Sequence, residues 1–134
     1  MIPITASFAG LLALFFIALS VVVIVRRYQT KTAVGAGNDD QMQRRMRAHA
    51  NFAEYTPFML LLMMIVEMGG AGKLLLCALG TTYCLGRVSH AYSMLCYEPR
   101  HGRIIFRQIG TVTTFTVLGI LALMALSQGL HAGH

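Results

Sequence analysis

From Ile4 to Val25 the chain runs for 22 residues without a charged side chain, and it then sets Arg26 and Arg27 side by side. At about 1.5 Å per residue, a helix of this length crosses the ~30 Å hydrocarbon core of a bilayer. A cleaved leader carries its positive charge ahead of the apolar stretch, whereas here the arginines follow it, so a membrane span is expected. Hydrophobic residues make up 56% of the chain and charged residues 12%, and a soluble domain carries about 25% charged residues. Too little polar surface exists to cover a water-soluble globule.

Three further stretches have the length and periodicity of helices. The segment Tyr28–Gln43 is polar, and Gly35, Gly37 and Asn38 mark a turn within it. Asp39 or Asp40 then supplies the N-cap of a second helix. Pro57 lies inside that helix and is expected to kink it or remove one backbone hydrogen bond. Pro99 and Gly102 break the third span, and Gly129–His134 forms a short tail after the fourth. The reading is all-α: an integral membrane four-helix bundle in a single domain, 1–134, with helices at roughly 4–27, 39–68, 73–98 and 103–128.

The net charge is +6. In a soluble chain that balance points to nucleic acid, but here the cations cluster beside apolar spans and topology accounts for them. Arg26, Arg27, Lys31, Arg44, Arg45 and Arg47 flank the first connection, and Arg100, Arg103 and Arg107 flank the third. Only Lys73 lies at the opposite end. By the positive-inside rule both connections face the cytoplasm and both termini face away from it. Cys77, Cys84 and Cys96 fall in one predicted helix and no CxxC occurs, so neither a disulfide framework nor a zinc site is indicated. His131 and His134 have the spacing of a weak metal pair but read as tail, and no metal is expected.

Ionisable groups inside spans are costly and therefore candidates for function. On the second helix Arg44, Arg47, Asn51 and Glu54 share one stripe at ~100° per residue, with Tyr55 next to Glu54. The third helix carries Arg87 and His90 on one face, with Tyr97 a further seven residues on and Met94 between them. The fourth opens with Arg103 and Arg107 at i, i+4. Two readings are open. Glu54 can pair with an arginine and join helices. Alternatively the stripe lines a pocket in which arginine holds a carboxylate, asparagine gives and accepts hydrogen bonds and glutamate takes an ammonium group.

The run Arg47-Ala48-His49-Ala50-Asn51-Phe52-Ala53-Glu54-Tyr55-Thr56-Pro57 resembles the second-helix signature of the MAPEG proteins, the membrane-associated proteins of eicosanoid and glutathione metabolism. The pattern R-A-x-x-N-x-x-E-x-x-P is matched without gaps, and the likeness extends over nearly the whole chain. It implies a four-helix protomer, a homotrimer, and glutathione held between protomers toward the cytoplasmic side. Arg47, Asn51 and Glu54 match the positions that hold glutathione's polar groups, Tyr55 an adjacent contact, and His90 the His or Tyr position of the third helix. Four residues later the family often has Tyr; this chain has Met94, and Tyr97 stands in for part of that contact. The thiol-activating arginine at the start of the fourth helix matches Arg103 first, by its distance from His90, with Arg107 as the rival. The run Arg107-Gln108-Ile109-Gly110-Thr111 resembles the bacterial branch, and with it an inner-membrane location.

The resemblance implies a transferase, or a peroxidase acting on lipid hydroperoxides, in which glutathione is the co-substrate and a lipophilic electrophile the partner. A glutathione-binding membrane protein without turnover is the alternative from the binding class. A small cation transporter is a third, with Glu54 as its embedded carboxylate, although Arg47 and Arg87 would repel its cargo.

Overall fold

The computed structural model describes residues 1–131. Helix α1 spans Pro3–Thr30, α2 Asp40–Met68, α3 Lys73–Tyr92, and α5 Ile105–His131; a π-helical segment, Ser93–Tyr97, and the single turn α4, Glu98–His101, join α3 to α5. No strand occurs among the described residues. The fold is an all-α membrane four-helix bundle in which α1 packs along α2, α3 along α5, and α2 against α5. Helix α5 continues to His131, and His134 lies outside the described residues.

Helices α1 and α5 are long and apolar enough to cross a membrane by composition alone. Helices α2 and α3 fall short of that measure because they carry the polar residues singled out above. Met59, Met63, Val66, Leu76, Tyr83 and Leu121 form the centre of the core. Large apolar side chains such as Leu14, Phe58, Leu85 and Leu123 face outward, as lipid-facing positions should.

Side chains from neighbouring helices satisfy several helix ends. Glu67, in the last turn of α2, accepts the Ile4 and Thr5 backbone N–H groups at 3.0 and 2.7 Å. A carboxylate thereby meets the positive end of α1 and two of its orphan donors. Asp39 is the N-cap of α2, accepting from the Gln41 N–H at 3.0 Å and from Arg26 Nε at 2.7 Å. That Arg26 hydrogen bond holds the Asp39 carboxyl below its usual range. Helix α2 is continuous through Pro57.

The end of the third span differs from the sequence expectation. Pro99 does not break it, because it falls in the first turn of α4, where a missing N–H leaves no bond unmade. The break comes at Gly102, whose φ of +64° is in the left-handed region.

Candidate functional site

Arg87 is 3% exposed although it sits at mid-bundle on α3. Its Nη1 donates to Asn51 Oδ1 on α2 at 2.7 Å, and its Nη2 donates to the Gly110 carbonyl at 3.2 Å and to Thr114 Oγ1, both on α5. The guanidinium also lies 5.6 Å from the Tyr83 ring centroid and 5.9 Å from that of Tyr55, within cation–π range. One arginine thus ties three helices together, and it takes up the Asn51 carbonyl oxygen. The Asn51 amide N–H₂ stays available. Tyr55 is half-buried, edge-on to Phe115 with ring centroids 5.5 Å apart.

The same crossing explains Gly110. A Cβ there would lie 2.5 Å from the Gly86 carbonyl oxygen and 2.7 Å from His90 Cβ, so only glycine allows α3 and α5 to approach this closely. His90 is packed into that crossing at 5% exposure. Its charged neighbours are Arg87, Arg107 and Arg47.

Toward the end of the bundle where α2 begins, Glu98 is buried at 6% exposure. Its Oε2 accepts from Arg44 Nη1 at 3.1 Å and from Arg107 Nη1 at 3.3 Å, and its Oε1 accepts from Ser93 Oγ at 3.0 Å. One carboxylate therefore fixes an arginine from α2 and another from α5. Between them opens a cavity of about 500 Å³, walled by Asp40, Gln43, Arg44, Arg47, Met94, Glu98 and Arg107. Three guanidinium groups line it, and two of them are held by a buried anion.

Arg47 and Glu54 are exposed on the single chain and make no hydrogen bond or ion pair among the described residues. Glu54 lies beyond the cavity, two turns along α2. Arg107 lines the cavity; Arg103, exposed in the connection before α5, does not. Tyr97 is parted from the His90 stripe, because the i→i+5 turns of Ser93–Tyr97 shift the helical register. It stacks on His101 at 4.4 Å and meets Phe106 edge-on at 4.8 Å.

Sequence reasoning overlooked Glu98 and Ser93, reading their surroundings as the end of a span. A signal was present: Glu98 is one of only five acids in the chain and stands among the cations of the third connection. Glu67 caps α1 from the end of α2, a role that local sequence does not signal. The threonines of α5 act as packing residues that bond back to the preceding turn, as Thr111 does to the Arg107 carbonyl at 2.9 Å. Thr114 also accepts a hydrogen bond from Arg87 on α3.

The MAPEG family model matches residues 5–127. Two Escherichia coli proteins, each named inner membrane protein YecN, from strain K12 and from strain O6:H1, are 30% identical to the chain over 123 residues. That match covers 92% of this chain and 90% of each relative. A four-helix membrane bundle, an ungapped second-helix signature and a match from the first helix to the last lead to one conclusion: the chain belongs to the MAPEG family, on its bacterial branch.

Proposed function

We propose that the protein is a glutathione-dependent enzyme of the bacterial inner membrane, working as a homotrimer on lipophilic electrophiles. The observation that carries this reading is the polar stripe of α2, which runs from Arg44 and Arg47 in the arginine-lined cavity past Asn51 to Glu54, a carboxylate without a partner among the described residues. Arg47 and Glu54 are seven residues apart, about 10 Å along a helix. An extended tripeptide spans a similar length, at most ~10–11 Å. Glutathione's carboxylates suit Arg44, Arg47 and Arg107, its amide groups suit the free Asn51 N–H₂, and its ammonium suits Glu54. His90 lies behind this face, buried in the α3–α5 crossing, and Tyr55 follows Glu54 on α2. Arg87 contributes by holding Asn51 rather than by touching ligand.

A carboxylate facing lipid at mid-span costs about 2.5–3.5 kcal/mol. A neighbouring protomer and the bound tripeptide remove Glu54 from lipid, which is why the site is assigned to an interface in a trimer. The positive-inside rule orients the cavity toward the cytoplasm and the termini away from it.

Chemistry then needs no protein nucleophile. Glutathione's thiol loses its proton to water, and the thiolate sulfur forms a bond to the electrophilic carbon as the leaving group departs with its electron pair. Free thiols titrate near ~8.5, so only a few per cent is thiolate at neutral pH. A fixed cation nearby lowers that pKa by about 1–3 units. Arg107 takes this role in preference to Arg103, because it lines the cavity and Glu98 fixes it. A groove of about 300 Å³ between α1 and α2, lined by Leu12, Phe16, Phe52 and Pro57, offers an apolar surface to the electrophile.

The test measures glutathione binding in detergent, turnover with a generic electrophile, and thiolate absorbance in the ultraviolet. Arg47→Ala and Glu54→Ala should each weaken binding about tenfold or more, and Arg107→Ala should abolish the thiolate signal while Arg103→Ala keeps it. Binding without turnover would leave a glutathione-binding protein. No binding in the intact wild type would overturn the reading.

A further inference from the structure

A second cavity, of about 340 Å³, lies on the other flank of Arg44 and Met94. Its polar wall is Gln41, Arg44, Arg45 and Arg100, and its apolar wall includes Leu95 and Pro99. The first cavity contains Asp40 and Glu98 among its cations, but no carboxylate lines this one. Two of the guanidinium groups are anchored at one nitrogen each: Arg45 Nη1 donates to the Val22 carbonyl at 3.0 Å, and Arg44 Nη1 donates to Glu98 at 3.1 Å. Their remaining N–H groups have no hydrogen-bond partner among the described residues. Arg100 is exposed and has no ion-pair partner among the described residues. The cavity therefore presents three cations, two of them held in place; Arg44 is paired with Glu98 behind the wall, and no carboxylate stands among the lining residues to meet Arg45 and Arg100.

Arginine forks match the paired oxygens of a phosphate group. The cavity's position narrows the source of that phosphate. It sits where α2 begins and the α3–α4 span ends, the level of the headgroups on whichever side of the bilayer this end faces. Basic pockets between membrane helices at this level recognise anionic lipid headgroups. The mixed lining agrees, because a free phosphate would leave Leu95 and Pro99 against water, whereas a phospholipid covers them with its glycerol and upper acyl chain. A zwitterionic headgroup would bring an ammonium group toward three arginines. We infer that this cavity is a binding site for the phosphodiester headgroup of an anionic phospholipid; it shares Arg44 and Met94 with the first cavity, while Arg45 and Arg100 belong to it and not to that one.

The experiment uses the full chain, delipidated in detergent and titrated with phosphatidylglycerol or phosphatidylcholine, with bound lipid counted by native mass spectrometry. Phosphatidylglycerol should bind about tenfold more tightly. Arg100→Ala removes an exposed side chain with no structural partner and should reduce that preference about fivefold. Arg45→Gln should reduce it as well, with helical circular dichroism checking that loss of the Val22 contact leaves the bundle folded. Equal binding of the two lipids, or an unchanged preference in Arg100→Ala, would overturn the inference. Displacement of phosphatidylglycerol by an equal concentration of inorganic phosphate would assign the cavity to a free anion and overturn the lipid site.

Discussion

Replacing Glu98 by glutamine would remove one charge and little volume from the junction of α2, α4 and α5. The carboxylate accepts from Arg44, Arg107 and Ser93. Hydrogen bonds to charged groups contribute about 1.5–3 kcal/mol each, but the two arginine side chains are 37% exposed while that of Glu98 is 5% exposed. Water can rehydrate the arginines once the anion is gone, so each ion pair belongs near the lower end of the range. The glutamine oxygen still accepts from one arginine, and its amide can partner Ser93 Oγ. The expected loss is about 1–2 kcal/mol in Glu98→Gln. Glu98→Leu also strands the fully buried Ser93 hydroxyl, adding about 1–3 kcal/mol.

Reversible unfolding in mixed detergent and dodecyl sulfate micelles, followed by circular dichroism, measures both variants. A double-mutant cycle between Glu98→Gln and Arg107→Gln should return a coupling of about 0.5–1.5 kcal/mol. Because the pair also fixes Arg107 in the cavity, glutathione affinity should fall about 5–30-fold in Glu98→Gln. Additive losses in the cycle, together with wild-type stability in Glu98→Gln, would show that the carboxylate holds neither arginine and refute this account of the junction.

Arg87→Met should destabilise the bundle by about 1–3 kcal/mol, because Asn51, the Gly110 carbonyl and Thr114 lose a shared donor in a buried setting while no charge is left unpaired; the same micelle titration reads it, and a wild-type midpoint would count against the clamp. Gly110→Ala should cost about 1–3 kcal/mol by overpacking, since its Cβ would press on the Gly86 carbonyl and His90, and a wild-type midpoint would mean that α3 and α5 can part freely. Asp39, whose pKa is depressed by Arg26, contributes stability that is complete above the unfolded carboxyl value of ~3.9 and is lost as pH falls through the lower folded value. Asp39→Asn should therefore flatten the acid limb of stability against pH and leave no difference from the wild type at the lowest pH.

The spans and the candidate stripe were legible because both rest on short-range regularities. An uncharged run such as Ile4–Val25 has few alternatives to a membrane helix, and a 3.6-residue period puts Arg47, Asn51 and Glu54 on one side of α2 whatever packs against them. The π-helical turn was not legible. Nothing in Ser93-Met94-Leu95-Cys96-Tyr97 departs from an ordinary helical pattern, and an i→i+5 register is settled by tertiary packing rather than by propensity. Once the register shifts, Tyr97 leaves the face it would share with His90, and Glu98 turns inward to meet Arg44 and Arg107. The role of Glu98 depends on partners 54 and 9 residues away in sequence, contacts that no local pattern encodes.

The polar residues of the bundle separate physically into two sets. Arg87, Thr114, Glu98 and Ser93 find partners within the chain, so in an apolar surround they act as fasteners between α3, α5 and the turn that joins them. Arg47 and Glu54 find none among the described residues, although each sits on a helix otherwise packed by Phe52, Met59 and Met63. Burying the first set rigidifies the wall against which the second set stands. Asn51 belongs to both, with its carbonyl oxygen fixed by Arg87 and its amide left to donate. A chain that needed these groups only for cohesion would have paired Glu54 with one of its own arginines, and eleven Lys and Arg residues were available to do so. Leaving a carboxylate and a guanidinium unmatched about 10 Å apart is the arrangement expected of a surface completed from outside, by a ligand with both charges or by a second chain that brings them.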